Sequence, residues 1–285
     1  MSAHIDRRLP GSIAAVLLAF VAFAAQPAAA GQSLVRNAQS WTYQLQGRTG
    51  SIAGSNADVV VIDPDHAGNA STYRSKPGGG RRAVLAYLSV GEAERWRSYW
   101  KSCCASGQPA WLTSRTQGWA GNYVVKFWEP AWKSIVLARV RQILAQGYDG
   151  FYLDRVDTYE NVSAPGGSRA AMIQFVREIS AAARSLKGDA AILVQNAEEL
   201  LDSDSYASAI DGIAKEDLFH GVAHNGARNP STMVAGSIAL LKRAKARGKS
   251  VFVVEYLSGS TASSVAAEIR KQGFVPNFAG RNLSN

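Results

Sequence analysis

The sequence predicts an α/β fold, a (β/α)8 TIM-type barrel with a long Trp-rich insertion after its third strand. Three observations predict it. Eight short apolar runs recur along the chain, amphipathic helices separate the later ones, and an acid, amide or aromatic residue follows nearly every run.

The runs occupy residues 41–46, 59–63, 84–89, 150–154, 192–196, 210–216, 251–256 and 274–278. They are rich in Val, Ile, Tyr and Phe and nearly continuous, as expected of parallel strands covered on both faces. Helices are predicted over 130–146, 168–186, 230–247 and 261–272. Pro130 and Pro230 open two of them, and Gly147, Gly188, Gly248 and Gly273 follow the four, the usual asymmetry of helix ends. Strand, loop, helix, Gly, strand, repeated, argues for right-handed parallel crossovers, and eight repeats argue for closure. The first two crossovers are short and Gly/Ser-rich, and no full helix follows the last run. A ninth run, 123–128, falls inside the insertion and reads as a hairpin or lid.

Residues 1–30 read as a separate element. Arg7 and Arg8 precede an apolar run over 11–25, and Ala28 and Ala30 supply small residues for a signal peptidase. A membrane anchor is the competing reading, but the run is shorter than the ~20 residues a span needs. The expectation is cleavage near Ala30, a secreted or periplasmic protein, and one catalytic domain over 31–285 that is monomeric.

The chain of 285 residues carries 31 Lys and Arg against 22 Asp and Glu, a net charge of +9. A basic surface attracts polyanions. However, no basic run with interleaved aromatics of the nucleic-acid-binding kind occurs, and Lys242, Arg243, Lys245 and Arg247 read as a solvated helix face. No phosphate-binding loop is present, so nucleotide chemistry is not expected. The two cysteines, Cys103 and Cys104, are adjacent. A local bridge and a pair of buried thiols remain equally open.

Active sites of such barrels form at the carboxyl ends of the strands. Asp63 and Asp65 end the second run, Tyr87 and Glu92 follow the third, and Asp154 and Asp157 end the fourth. Gln195, Asn196 and Glu198 end the fifth, Glu216 and Asp217 the sixth, Glu255 and Tyr256 the seventh, and Asn277 the eighth. Two carboxyls flanking an acetal oxygen suffice for glycoside cleavage without a metal. The proton donor needs a raised pKa, which burial and like charges supply. Of Trp96, Trp100, Trp111, Trp119, Trp128 and Trp132, in or beside the insertion, part read as core and two or three at most as flat faces for sugar rings.

The segments Trp-Thr-Tyr-Gln-Leu-Gln-Gly at 41–47, Val-Ile-Asp at 61–63, Leu-Ala-Tyr-Leu-Ser-Val-Gly-Glu-Ala-Glu at 85–94, Phe-Trp-Glu-Pro-Ala-Trp at 127–132, Gly-Tyr-Asp-Gly-Phe-Tyr-Leu-Asp at 147–154 and Lys-Glu-Asp-Leu-Phe at 215–219 carry a resemblance. Together they resemble glycoside hydrolase family 114, the endo-α-1,4-polygalactosaminidase-like proteins. The resemblance implies a (β/α)8 fold and cleavage of a galactosamine-containing polysaccharide within the chain. It also implies Asp154 as nucleophile and Glu216 as general acid/base.

Tyr43, Asp63, Tyr87, Glu92, Trp128, Asp157, Asn196, Glu255 and Tyr256 are the expected substrate-binding residues; no metal and no cofactor is expected. Glu198 and Glu255 compete with Glu216 for its role. Asp154 with Asp157 could hold a hard cation, but such sites gather more oxygen ligands. His220 and His224 resemble half a zinc site and read better as loop histidines. The alternative function is a catalytically silent carbohydrate-binding barrel.

Overall fold

The computed structural model describes Met1 and residues 31–104 and 107–284. The leader read at 1–30 lies outside the described residues apart from Met1. Among the described residues, no helix is long and apolar enough to cross a membrane.

The strands are β1 (Trp41–Gln44), β2 (Val59–Ile62), β3 (Ala83–Ser89), β4 (Glu92–Glu94), β5 (Leu112–Arg115), β6 (Asn122–Val125), β7 (Gly150–Asp154), β8 (Ala191–Gln195), β9 (Gly212–Glu216), β10 (Ser250–Glu255) and β11 (Val275–Phe278). Eight of them form one sheet in the order β1-β2-β3-β7-β8-β9-β10-β11, and every pair is parallel. All eight predicted runs are barrel strands. The fold is the predicted (β/α)8 barrel.

Successive side chains of a strand point to opposite faces, and the two faces build two cores. Val59, Val61, Leu85, Tyr152, Leu193 and Phe252 fill the barrel interior. Their neighbours Val60, Ile62, Val84, Phe151, Ile192 and Val251 pack outward under the helices. Burial on both faces explains why the runs are continuous rather than alternating.

The barrel is joined at one seam by side chains and a terminal turn rather than a ladder. The indole N–H of Trp41 donates to the Val275 carbonyl at 3.0 Å. The Leu283 carbonyl accepts from the backbone N–H groups of Leu45 and Gln46.

The outer helices include Pro130–Ala145, Ser168–Leu186, Ser231–Ala246 and Gly259–Lys271, each within two residues of its predicted bounds. A helix not predicted, Gly31–Arg36, packs across the strand starts, where its Val35 joins the barrel interior. Three acids at that end are structural. Asp58 accepts from the N–H groups of Gln39 and Ser40, Asp149 from that of Val84, and Asp211 from that of Ile192.

The insertion between β3 and the helix Pro130–Ala145 carries an antiparallel three-stranded sheet, β4-β6-β5, so the ninth run is a strand of this sheet. Trp111 and Trp132 are buried in its base, with ring centroids 4.9 Å apart, and Trp132 donates to the Val90 carbonyl. Cys103 and Cys104 form a disulfide, which decides between the two states left open by the sequence.

Candidate active site

A cleft of about 550 Å³ opens at the carboxyl ends of the barrel strands. Asp63, Tyr87, Glu92, Asp154, Asp157, Asn196 and Glu216 line it together, seven of the eleven residues expected from the sequence. Glu94, Trp96, Trp119, Gln195, Arg155 and Arg281 also line it.

Asp154 is the last residue of β7. Its Oδ2 accepts the Tyr87 hydroxyl and its Oδ1 accepts the Arg155 N–H, both at 2.7 Å. Burial lifts its pKa to about 7, and the charges of Asp157 and Glu216 add to the lift. The Arg155 charge and the Tyr87 hydrogen bond oppose it without cancelling it. Glu216 is the last residue of β9. Its Oε2 accepts Gln195 Nε2 at 2.8 Å, its Oε1 accepts the Tyr256 hydroxyl, and its N–H donates to Asn196 Oδ1 at 3.1 Å. Burial raises its pKa as well, helped by Asp217.

The backbone around both acids is strained. Arg155 follows β7 with φ 60°, Asn196 and Ala197 follow β8 with φ 56°, and Asp217 follows β9 with φ 52°. Leu283, the remaining described non-glycine residue with positive φ, also lines the cleft. Left-handed conformations cost non-glycine residues free energy and cluster at functional sites. Here they turn the chain sharply at three strand exits, in two of them directly after Asp154 and Glu216.

Two guanidinium networks hold the walls. Arg97 is buried, and it contacts Asp63 at 2.7 Å, Asp65 at 3.0 Å and Glu94 at 2.6 Å. Arg281 contacts both carboxylate oxygens of Asp217 at 3.0 Å and lies over the Tyr256 ring at 4.5 Å, which steadies the phenol that bonds Glu216. Glu92 is buried, accepting Asn122 Nδ2 at 2.9 Å and facing Arg155 Nε at 2.8 Å. Asp157 lies 3.7 Å from the same guanidinium, so one cation serves two carboxylates.

The structure separates other expected residues from the cleft. Tyr43 is buried in the barrel interior, with ring centroids 6.2 Å from Trp41 and 4.9 Å from Tyr152. Trp128 lines a neighbouring groove. Tyr256 reaches the site through its hydrogen bond to Glu216. Glu255 is fully buried behind the mouth, where it accepts the N–H groups of Phe219 at 2.7 Å and His220 at 3.3 Å. Burial lifts its pKa to about 7. Glu198 is also buried, 3.0 Å from Lys215 and bonded to Ser237. Neither rival of Glu216 lines the cleft. Among the described residues, no group of three or more His, Cys, Asp and Glu side chains is placed to hold a metal ion.

Sequence reasoning missed Glu94, Arg97, Arg155 and Arg281 as site residues. Glu94 lies within the 85–94 segment and Arg155 directly follows Asp154, so local signals existed for those two. Arg97 pairs with Glu94 three positions before it but also with Asp63 34 positions away, and Arg281 with Asp217 64 positions away; no local pattern reports the two distant pairs.

Six carboxyl groups, Asp63, Glu92, Glu94, Asp154, Asp157 and Glu216, line the cleft with two guanidinium groups, Arg155 and Arg281, while a third, Arg97, stands behind Asp63 and Glu94. The cleft is therefore acidic within a protein of net charge +9. The exposed indoles of Trp96 and Trp119 flank it. The sequence model of glycoside-hydrolase family GH114 matches residues 22–285. The chain belongs to family GH114.

Relatives of this GH114 chain include an uncharacterized protein of Deinococcus radiodurans, 36% identical over 257 residues, covering 86% of this chain and 81% of the relative. An uncharacterized protein of Methanocaldococcus jannaschii is 34% identical over 263 residues, 84% of this chain and 75% of the relative. The glycoside hydrolase domain of PelA from Pseudomonas aeruginosa shares the fold with a TM-score of 0.70 at 21% identity, covering 87% of this chain and 97% of that domain. Aspergillus fumigatus Ega3, solved in complex with galactosamine, superposes with a TM-score of 0.66 at 21% identity, over 87% and 93% of the two chains.

Proposed function

We propose that this GH114 protein hydrolyses an α-linked polysaccharide containing galactosamine or N-acetylgalactosamine, within the chain and with retention. The observation that carries the reading is the pairing of Asp154 and Glu216 at one acidic mouth, both with raised pKa values. Two carboxyls at one mouth, both with pKa values raised by burial, can offer one acid and one carboxylate together.

In this reading Asp154 attacks the anomeric carbon while Glu216 gives its proton to the departing glycosidic oxygen. The carbon–oxygen bond electrons leave with that oxygen, which becomes the new hydroxyl. Glu216, now ionised, then takes a proton from water, and the hydroxide oxygen displaces Asp154 from the sugar. The Arg155 N–H and the Tyr87 hydroxyl stabilise the carboxylate form of Asp154 and hold it in place. The acidic walls favour a sugar ammonium, since opposite charges within a few ångströms attract strongly in a partly dry cleft. The galactosamine bound to the fold relative Ega3 supports this substrate class.

We further propose export of the protein after removal of 1–30, and action of residues 31–285 as a single catalytic unit, as a monomer and without nucleic-acid or membrane partners. The test incubates purified protein with α-1,4-galactosamine polymers of graded acetylation and follows fragments by mass spectrometry. Internal fragments released by wild type, and not by Glu216→Gln or Asp154→Asn, support the reading. Tight binding without any new reducing end would instead establish the silent carbohydrate-binding barrel. Proton NMR of the first anomer released separates retention from inversion.

A further inference from the structure

Past Trp119 and Arg155, which line both, the cleft continues into a second groove of about 600 Å³. Its walls come from β5, β6 and the segment after β7, and Arg115, Lys126 and Trp128 are among them. The charge reverses here. Arg115 and Lys126 line the groove beside Arg155, whose guanidinium faces Glu92 and Asp157 on the cleft side, and no carboxylate lines it among the described residues. Arg115 is exposed and lies 5.8 Å from the Tyr123 ring. Lys126 is half-buried, and among the described residues no acid forms an ion pair with it. Trp119 is 59% exposed, and Trp128 is half-buried against Phe127.

An amino sugar with a free amine is a cation at neutral pH, and the acetamide of its N-acetylated form is neutral. The cationic groove therefore repels the first within the 8–10 Å reach of an exposed charge. The second meets indole faces for its ring and N–H donors for its acetamide carbonyl. We propose that this groove is a second binding zone for the same polysaccharide and takes sugar units whose amines are acetylated. The proposal rests on the hydrolase reading above and refines it: the protein favours a partly deacetylated chain, with a free amine at the cleft and an acetylated unit beyond Trp119.

The test measures binding by calorimetry on Glu216→Gln protein, which leaves the ligand intact. The probes are α-1,4-galactosamine octamers, fully deacetylated or half N-acetylated. The half-acetylated octamer is expected to bind about fivefold more tightly. Arg115→Glu with Lys126→Glu is expected to lower that preference about tenfold, so that it inverts. Arg115→Glu alone, at an exposed site, serves as the second variant if the double one fails to fold, and is expected to lower the preference about threefold. Equal affinities, or a preference untouched by these changes, overturn the second zone. Tighter binding of a galacturonate octamer than of either amino-sugar octamer does so too, by marking an anion site. Wild-type protein is incubated with the same octamers in parallel. Absence of fragments there overturns the hydrolytic reading, while the binding preference is still measured.

Discussion

Tyr87 on β3 reaches across to Asp154 on the adjacent β7, and its hydroxyl donates to Oδ2 at 2.7 Å. A donor held there stabilises the carboxylate form. Tyr87→Phe removes it without changing the ring. A hydrogen bond to a charged group contributes about 1.5–3 kcal/mol, so kcat/KM is expected to fall roughly 10- to 100-fold. The Asp154 titration should move upward at the same time, read by carbon-13 NMR of the labelled carboxyl. Unchanged rate and unchanged titration would remove Tyr87 from the machinery.

Burial and the neighbouring charges of Asp157 and Glu216 hold Asp154 at about 7. Asp154 attacks as the carboxylate, so loss of its proton switches the nucleophile on. The expected kcat/KM therefore rises as pH climbs through about 7, and falls again where Glu216, whose pKa burial also raises, loses the proton it must donate. In Glu216→Gln a like charge disappears, and the Asp154 midpoint should drop. A midpoint for Asp154 at the ordinary 3.9 of a solvated Asp would show that the cleft does not desolvate it.

The same shift makes Asp154 costly to the fold. Its folded pKa lies above its unfolded value, so between about 4 and 7 the folded state binds more protons than the unfolded one. Stability is complete below that window and declines as pH climbs through it. Asp154→Asn removes the ionisation. It is expected to stabilise the protein by on the order of 2 kcal/mol at pH 8, less than the ~4 that three full pK units allow, with the gain vanishing near pH 4. Calorimetric melting at both pH values checks this, and a gain equal at both would point to another cause.

Gly91 sits where the loops after β3 and β7 touch. A Cβ there would overlap the Arg155 carbonyl oxygen and Thr158 Oγ1. Neither can retreat easily, since Arg155 is already at φ 60° and Thr158 is fully buried. Gly91→Ala is expected to destabilise by roughly 1–3 kcal/mol and to lower kcat more than the melting temperature alone explains, because Arg155 carries a donor to Asp154. Urea unfolding with parallel kinetics tests both parts.

The barrel strands were legible because burial on two faces writes itself as unbroken apolar runs, and the outer helices because Pro and Gly mark their ends. The short helix Gly31–Arg36 was not, since its six residues span fewer than two turns, too few for an i, i+3, i+4, i+7 apolar pattern. At the site, position after a strand found Asp154, Glu216 and Asp63, but the same rule also selected Glu255. Period and spacing say that a residue ends a strand. They do not say whether its side chain turns toward solvent or, as Glu255 does, back onto the N–H groups of Phe219 and His220. Tyr43 was displaced from the cleft for a related reason: alternation sends it into the barrel interior between Trp41 and Tyr152.

The seam between β1 and β11 joins residues 234 positions apart, Trp41 and Val275. Closing a contact of such long sequence separation costs the chain the freedom of the loop between its ends. Leu45, Gln46, Arg281, Asn282 and Leu283 all line the mouth beside this join. The mouth is thus completed by residues drawn from both sides of this join, so its shape depends on β1 and β11 staying together.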